Sequence, residues 1–141
     1  MSLITWNDQF SVGVEEIDSQ HKKLVQLING LHAHILAGDA KHIMGTVLDR
    51  MIEYTAFHFE TEEKLMKKYG YPASVAHTEE HKKLVATALE LQRKFKSGTG
   101  AITMETMAFL RDWLQHHIKE SDKVLGKHLL SHGVAATVAA A

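Results

Sequence analysis

The chain has 141 residues, which is enough for one domain that buries about two-thirds of its surface without cross-links. It contains no cysteine, which excludes disulfides and thiolate metal sites. Its 16 basic and 17 acidic residues leave a net charge of -1, so no basic surface favours nucleic acid or an anionic membrane as a partner. No apolar run approaches the roughly 20 residues of a membrane span, and no signal peptide is predicted. We therefore expect a cytoplasmic protein.

An extended arm opens the chain, and two helices are predicted after it. Helix A is expected from about Ser19 to Ala37, with Asp18 or Ser19 as its N-cap. Gly38 and Asp39 then mark a turn, and helix B is expected from about Ala40 to Tyr69 with Asp39 as its cap. In both segments apolar residues recur every three or four positions, which is typical of a helix with one buried face.

Two more helices are predicted beyond the break at Gly70-Tyr71-Pro72. Helix C is expected from about Ser74 to Lys96, and after the break at Ser97-Gly98-Thr99-Gly100 helix D runs from Thr103 to the region of Glu120. Four amphipathic helices with short loops favour an all-α, up-down-up-down four-helix bundle, here with an N-terminal extended arm and a short C-terminal helical tail. We assign residues 1–132 to this domain and predict that the Ala-rich residues 133–141 are disordered.

Histidine is unusually frequent, with 11 residues, and several histidines and acids fall on the apolar faces of the predicted helices. These residues are His21, His58, Glu62, His77, His81, His117 and Asp122. Antiparallel neighbours rise equally on both sides of their loop, so folding the chain at its breaks brings the whole set to one level. Ionisable groups inside a bundle are costly unless they are paired or bound to metal. The pattern therefore predicts a metal centre in the core.

The number of donors indicates which metal the centre holds. Five imidazoles, two bridging carboxylates and a solvent-derived bridge nearly fill the coordination of two octahedral ions and leave one position open. A nitrogen- and oxygen-rich site of this kind suits iron with a small diatomic ligand, whereas tetrahedral zinc would leave donors unused.

The spacing of His117 and Asp122 predicts an irregular helix D. Residues five apart differ by about 140° on a regular α-helix. Both can face one site only if helix D contains a π-bulge, or ends and restarts between them. Such bulges are often found at functional sites.

Four motifs are together typical of one protein family. They are the opening Trp6…Ser11-Val-Gly-Val14…Ile17-Asp18…Gln20-His21, then His58-Phe-x-x-Glu62, His77-x-x-x-His81 and Trp113-Leu-x-x-His117-Ile-x-x-x-Asp122. With them the chain resembles the bacterial hemerythrins over essentially its whole length. The resemblance implies reversible O2 binding for carriage, storage or sensing, at two irons joined by an oxo or hydroxo bridge, and it implies a binding protein rather than an enzyme. The sequence does not identify a protein partner.

The resemblance also implies a role for each site residue. One iron would be held by His77, His81 and His117, and the other by His21 and His58. Glu62 and Asp122 would bridge the two irons, and O2 would bind to the iron with two histidines. The apolar residues expected to line the O2 pocket are Phe59, Trp113, Leu114 and Ile118. The family commonly has a tyrosine three residues after the bridging aspartate, where this chain has Leu125.

Three other interpretations were compared with this one. Chemistry on peroxide or NO at the same centre stays open as a secondary enzyme activity. The sequence His77-Thr-Glu-Glu80-His81 fits the H-x-x-E-H pattern of a zinc peptidase, but a peptidase site would leave most of the predicted ligands unexplained. A diiron carboxylate oxidase would use Glu-x-x-His pairs, and the chain contains none. The remaining histidines are interpreted as structural or exposed: His32, His34, His42, His116, His128 and His132.

Overall fold

The computed structural model describes residues 2–138, and helices make up most of that range. The helices are α1 (Glu15–Leu36), α2 (Lys41–Lys68), α3 (Ser74–Ser97), α4 (Met104–His116) and α5 (Lys123–Ser131). A π-helical segment, His117–Asp122, continues α4 into α5 without a break, and a short 3-10 helix, Asp8–Phe10, lies in the N-terminal arm. The predicted all-α four-helix bundle, with an arm and a helical C-terminal extension, is confirmed.

The start of α1 differs from the prediction. The helix begins at Glu15, so neither Asp18 nor Ser19 is its N-cap. The buried carboxylate of Asp18 instead accepts hydrogen bonds from the hydroxyl of Ser11 at 2.6 Å and the backbone N–H of Val12 at 2.8 Å. Asp18 therefore ties the arm to α1, rather than satisfying the free N–H groups at the helix start.

The predicted cap of α2 by Asp39 is also wrong. No side chain caps the first turn of α2, and the Asp39 carboxylate lies 2.6 Å from Nδ1 of His34. At the same end of the bundle, Gly98 ends α3 with a φ of 79°, a conformation that glycine adopts without strain. Thr103 caps α4, since its hydroxyl accepts the N–H of Thr106.

Part of the Ala-rich tail is ordered against the N-terminal arm. The backbone N–H of Glu15 donates to the carbonyl of Ala135, and the N–H of Thr137 donates to the carbonyl of Gly13. The hydroxyl of Thr137 donates to Asp18 at 2.6 Å. The disorder predicted for residues 133–141 is thus absent from 135–137, because Asp18 and the arm provide hydrogen-bond partners that composition alone does not reveal. Residues 139–141 lie outside the described residues, and the assignment of 1–132 as the domain stays a prediction.

The core runs along the length of the bundle and is mainly apolar. Leu24, Leu48, Leu114, Ile118 and Leu125 are each at most 5 % exposed. Most of the buried ionisable side chains among residues 2–138 lie at one level, in the half of the bundle where α2 ends and α3 begins; the others are Asp18 and His32. Within residues 2–138, no helix is long and apolar enough to cross a membrane.

Candidate metal centre

Every long helix contributes to the polar level of the core. α1 supplies His21, α2 supplies His58 and Glu62, α3 supplies His77 and His81, and the π-helical segment supplies His117 and Asp122. Each of these residues is at most 3 % exposed. The structure thus brings together all seven residues that the sequence predicts as ligands. Their role as ligands remains a prediction.

Two sets of donors share the two acids. Glu62, Asp122 and three histidines can hold one ion, and the same acids with two other histidines can hold a second. Within each set the donor atoms lie within 4.8 Å of one another. We call His77, His81 and His117 the three-His group, and His21 and His58 the two-His group.

Glu62 faces both groups with different oxygens. Its Oε1 lies 3.0 Å from Nε2 of His77 and 3.0 Å from Nε2 of His81. Its Oε2 lies 2.9 Å from Nε2 of His58 and 3.4 Å from Nε2 of His21. A carboxylate in this position can bridge two ions.

Asp122 divides its oxygens in the same way. Its Oδ1 lies 2.9 Å from Nε2 of His77 and 3.1 Å from Nε2 of His117, and its Oδ2 lies 3.0 Å from Nε2 of His21. The π-helical segment makes this possible, because its wider turn places His117 and Asp122 on one side of the helix. The irregularity predicted for helix D is therefore a π-helical turn, and not an end followed by a restart.

Several buried polar atoms at the centre lack a hydrogen bond. Among residues 2–138, these atoms are Nδ1 and Nε2 of His21, Nε2 of His58, Oε2 of Glu62, and both carboxylate oxygens of Asp122. Buried polar atoms without partners are rare and costly. Imidazole and carboxylate are donors that suit iron. The donor set and its unpartnered atoms therefore fit a non-haem iron centre.

Strong electrostatic coupling links these residues in the metal-free protein. Burial alone would lower the pKa of His21, but the carboxylates of Asp122 and Glu62 outweigh it and raise that pKa to about 9. The same balance raises the pKa of His77 to about 10. Burial would raise the pKa of Glu62, but the neighbouring histidines hold it well below its usual range. Metal binding therefore has to displace protons from imidazoles.

Three imidazoles have a hydrogen-bond acceptor at Nδ1, the outer nitrogen that points away from the centre. The sequence analysis did not predict these acceptors. Nδ1 of His58 lies 2.7 Å from Oε1 of Gln20, Nδ1 of His81 lies 3.0 Å from Oε2 of Glu63, and Nδ1 of His117 lies 3.1 Å from Oε1 of Glu80. An acceptor at Nδ1 places the proton there and leaves Nε2 free to bind metal. A signal was present in the sequence, since each acceptor adjoins a predicted ligand on the preceding helix.

Apolar side chains cover the centre on one side. The Phe59 ring stacks on His81 with centroids 3.8 Å apart, and Trp113 stacks on His117 at 4.6 Å. Phe59, Trp113 and Leu114 line an apolar cavity next to the centre. Ile118 is fully buried but does not line this cavity. That these four residues surround bound O2 remains a prediction.

The other histidines lie outside both donor sets. His128 Nε2 lies 2.7 Å from the carbonyl of Tyr69, and His34 pairs with Asp39. His42 and His116 are exposed. His132 is also exposed, and His32 is buried in α1. These placements agree with the interpretation of the six residues as structural or exposed.

Comparison with known proteins identifies close similarities over most of the chain. The Hemerythrin HHE cation binding domain family matches residues 12–129. A bacteriohemerythrin of Methylococcus capsulatus (Bath) is 40% identical over 127 residues, covering 89% of this chain and 96% of that protein. One from Stenotrophomonas maltophilia is 31% identical, covering 94% and 85%. A crystal structure of wild-type hemerythrin superimposes with a TM-score of 0.87 at 39% identity, covering 91% of this chain and 98% of that one.

Proposed function

This chain belongs to the hemerythrin family, and we propose that it binds O2 reversibly at a non-haem diiron centre made by the seven core residues. The observation that carries the proposal is the division of the oxygens of Glu62 and Asp122 between the two groups of histidines. Two carboxylates with one oxygen toward each group are the arrangement that a pair of ions requires. A single ion would not use both groups.

In this proposal the three-His group would hold one iron, the two-His group would hold the other, and Glu62 and Asp122 would be shared between them. Two irons joined by an oxo or hydroxo bridge supply the redox chemistry for O2 binding. The two-His group has one histidine fewer, so O2 would bind on that side. The chain directs each Nε2 toward the centre, and acceptors at Nδ1 hold His58, His81 and His117 in that orientation. Its apolar cavity would keep water away from the bound ligand.

The role of such a protein is O2 carriage, storage or sensing, and members of the family are in general O2-binding proteins rather than enzymes. Action on peroxide or NO at the same centre is the alternative. The zinc-peptidase interpretation loses support because Glu80 is not placed as a base. Its carboxylate is bound by the hydroxyl of Ser121 and faces the outer nitrogen of His117.

Reversible O2 binding can be observed directly in the visible spectrum. The iron-loaded protein is reduced without air, O2 is admitted, and the spectrum is recorded before and after O2 is removed. We expect an oxygen-to-iron charge-transfer band that appears and then fades. A band that never appears, or that persists without O2, contradicts the proposal, and sustained turnover of peroxide or NO favours the enzyme alternative.

Two histidine variants serve as a matched pair for this experiment. His58→Ala removes one of two imidazoles from the proposed O2-binding ion, and the band should be lost. His42→Ala removes an exposed imidazole from the same helix, and the band should be unchanged. Equal spectra for the two variants would contradict the assignment of His58.

A further inference from the structure

The hydrogen-bond acceptors at the outer nitrogens of the imidazoles differ in charge between the two proposed metal positions. In the three-His group, the outer nitrogens of His81 and His117 face carboxylates, those of Glu63 and Glu80. In the two-His group, the outer nitrogen of His58 faces the neutral amide of Gln20. Nδ1 of His21 is buried and has no hydrogen-bond partner among residues 2–138. Negative charge therefore supports only one of the two positions.

The carboxylate of Glu80 is fixed in place by the π-helical segment. The hydroxyl of Ser121 lies 2.8 Å from one oxygen of Glu80 and 2.9 Å from the other. Oε1 of the same carboxylate lies 3.1 Å from Nδ1 of His117. Ser121 thus holds Glu80, and Glu80 in turn orients a histidine only four residues before Ser121 in the sequence.

The amide of Gln20 is fixed with its oxygen toward the imidazole. Its Nε2 donates to the hydroxyl oxygen of Thr61 at 3.2 Å, and that hydroxyl donates to the carbonyl of Phe57 at 3.2 Å. The amide oxygen is therefore the atom that lies 2.7 Å from His58 Nδ1. His58 has a well-oriented acceptor, but one without charge.

A carboxylate behind a metal-bound imidazole raises the basicity of the ligand more than an amide does, because the hydrogen bond is charge-assisted. A more basic imidazole binds an ion more tightly and favours its higher oxidation state. We propose that Glu63 and Glu80 are positioning residues. They make the three-His group bind its ion more tightly than the two-His group does, and they make that ion easier to oxidise. Because Gln20 is neutral, the two-His group binds its ion with the lower affinity. This inference rests on the proposed function for the presence of two irons.

The inference is tested by loading the metal-free protein with Co²⁺ against a competing chelator. The wild-type protein should bind two ions in two steps of different affinity. Glu80→Gln should weaken the tighter step about tenfold, as for other groups that support metal ligands, and leave the weaker step unchanged. The control is Glu79→Gln, which removes the same charge from the preceding residue, whose side chain pairs with Lys82. This control should move neither step.

The reverse substitution tests the other position. Gln20→Glu places a carboxylate behind His58 and should tighten the weaker step without changing the tighter one. In the iron-loaded protein, Glu80→Gln should also raise the midpoint potential of one iron, and Glu79→Gln should not. If Glu80 had a purely structural role, Glu80→Gln would lower the thermal stability but would not affect one binding step, or one midpoint potential, more than the other.

Three results would overturn the inference: identical loading of Glu80→Gln and Glu79→Gln, equal weakening of both steps by Glu80→Gln, or an effect of Gln20→Glu on the tighter step.

If Glu80→Gln does not fold, Ser121→Ala is the variant that tests the inference. It removes only the hydroxyl that holds Glu80, so it should weaken the same step, and no change would overturn the inference. Wild-type protein that loads two Co²⁺ ions but binds no O2 when loaded with iron would refute the proposed function alone.

Discussion

Leu114 is the side chain whose contribution to O2 binding can be separated most clearly from its contribution to folding. It is 5 % exposed and lines the apolar cavity beside Phe59 and Trp113. Leu114→Ala should leave all seven donors in place but open the cavity to water. We expect unchanged iron content and a faster decay of the oxygenated spectrum, because a wetter site loses its bound ligand to side reactions more readily.

A second leucine separates this effect from the loss of packing. Leu48 is fully buried in α2 and does not line the cavity. Leu48→Ala and Leu114→Ala should each cost about 2–5 kcal/mol of unfolding free energy, but only Leu114→Ala should change the rate of decay. Equal decay rates in the two variants would show that Leu114 has no special relation to bound O2.

The sequence identifies the proposed ligands more readily than the residues that support them. His58 and Glu62 are recognisable because an imidazole and a carboxylate on an apolar helix face are unusual there. Glu63 and Glu80 lie off that face and look like ordinary solvated carboxylates, with side chains 39% and 40% exposed. Their contacts depend on how neighbouring helices are rotated against each other, and the periodicity of one helix does not determine that rotation.

The helix ends also show that features set within one helix can be predicted from the sequence, whereas features set by tertiary contacts cannot. The five-residue spacing of His117 and Asp122 predicted an irregular helix, because geometry within one helix decides it. The caps predicted at Asp18 and Asp39 were wrong, because each carboxylate is bound by groups from outside its own helix start. At Thr103, where no cap was predicted, the hydroxyl contacts only groups of its own helix start and does cap α4.

Two helical glycines should respond oppositely to the same substitution. A Cβ on Gly126 in α5 would collide with the backbone carbonyl of Val12 in the arm, and Asp18 already holds Val12. We expect Gly126→Ala to cost about 1–3 kcal/mol, as overpacking does. At Gly30 in α1, no atom of residues 2–138 beyond its chain neighbours and the helix's own backbone lies within 4 Å of such a Cβ. Gly30→Ala should therefore stabilise the helix by about 0.5–1 kcal/mol.

Chemical denaturation of the two variants measures both effects. Similar changes in unfolding free energy for Gly126→Ala and Gly30→Ala would show that the arm does not pack tightly on α5. Tight packing matters for the centre, because the arm leads directly into the helix that carries His21.

The stability of the whole metal-free protein should fall as the pH rises above neutral. The ordinary pKa of a histidine is 6.5, and the fold raises the pKa of His21 to about 9 and that of His77 to about 10. A raised folded pKa contributes stability in full below the unfolded value, and this contribution is lost as the pH rises through the folded value. The melting temperature of metal-free protein should therefore decline from about pH 6.5 towards pH 9–10.

The metal-bound protein should behave differently, because bound imidazoles are already deprotonated. Metal binding releases protons and adds to the free energy of unfolding. The gap in melting temperature between the metal-bound and metal-free forms should therefore widen as the pH rises. Calorimetry of both forms across this range tests the expectation. Equal melting temperatures at every pH would mean that the seven residues bind no metal.

The central claim is that one set of seven residues holds two irons, and anomalous X-ray diffraction from crystals of iron-loaded protein tests it most directly. Data collected on both sides of the iron absorption edge should show two peaks about 3.5–4 Å apart, as in other two-metal sites. One peak should lie among His77, His81 and His117, and the other beside His21 and His58, with Glu62 and Asp122 between them. A single peak, peaks away from these residues, or a signal only at the zinc edge would contradict the claim.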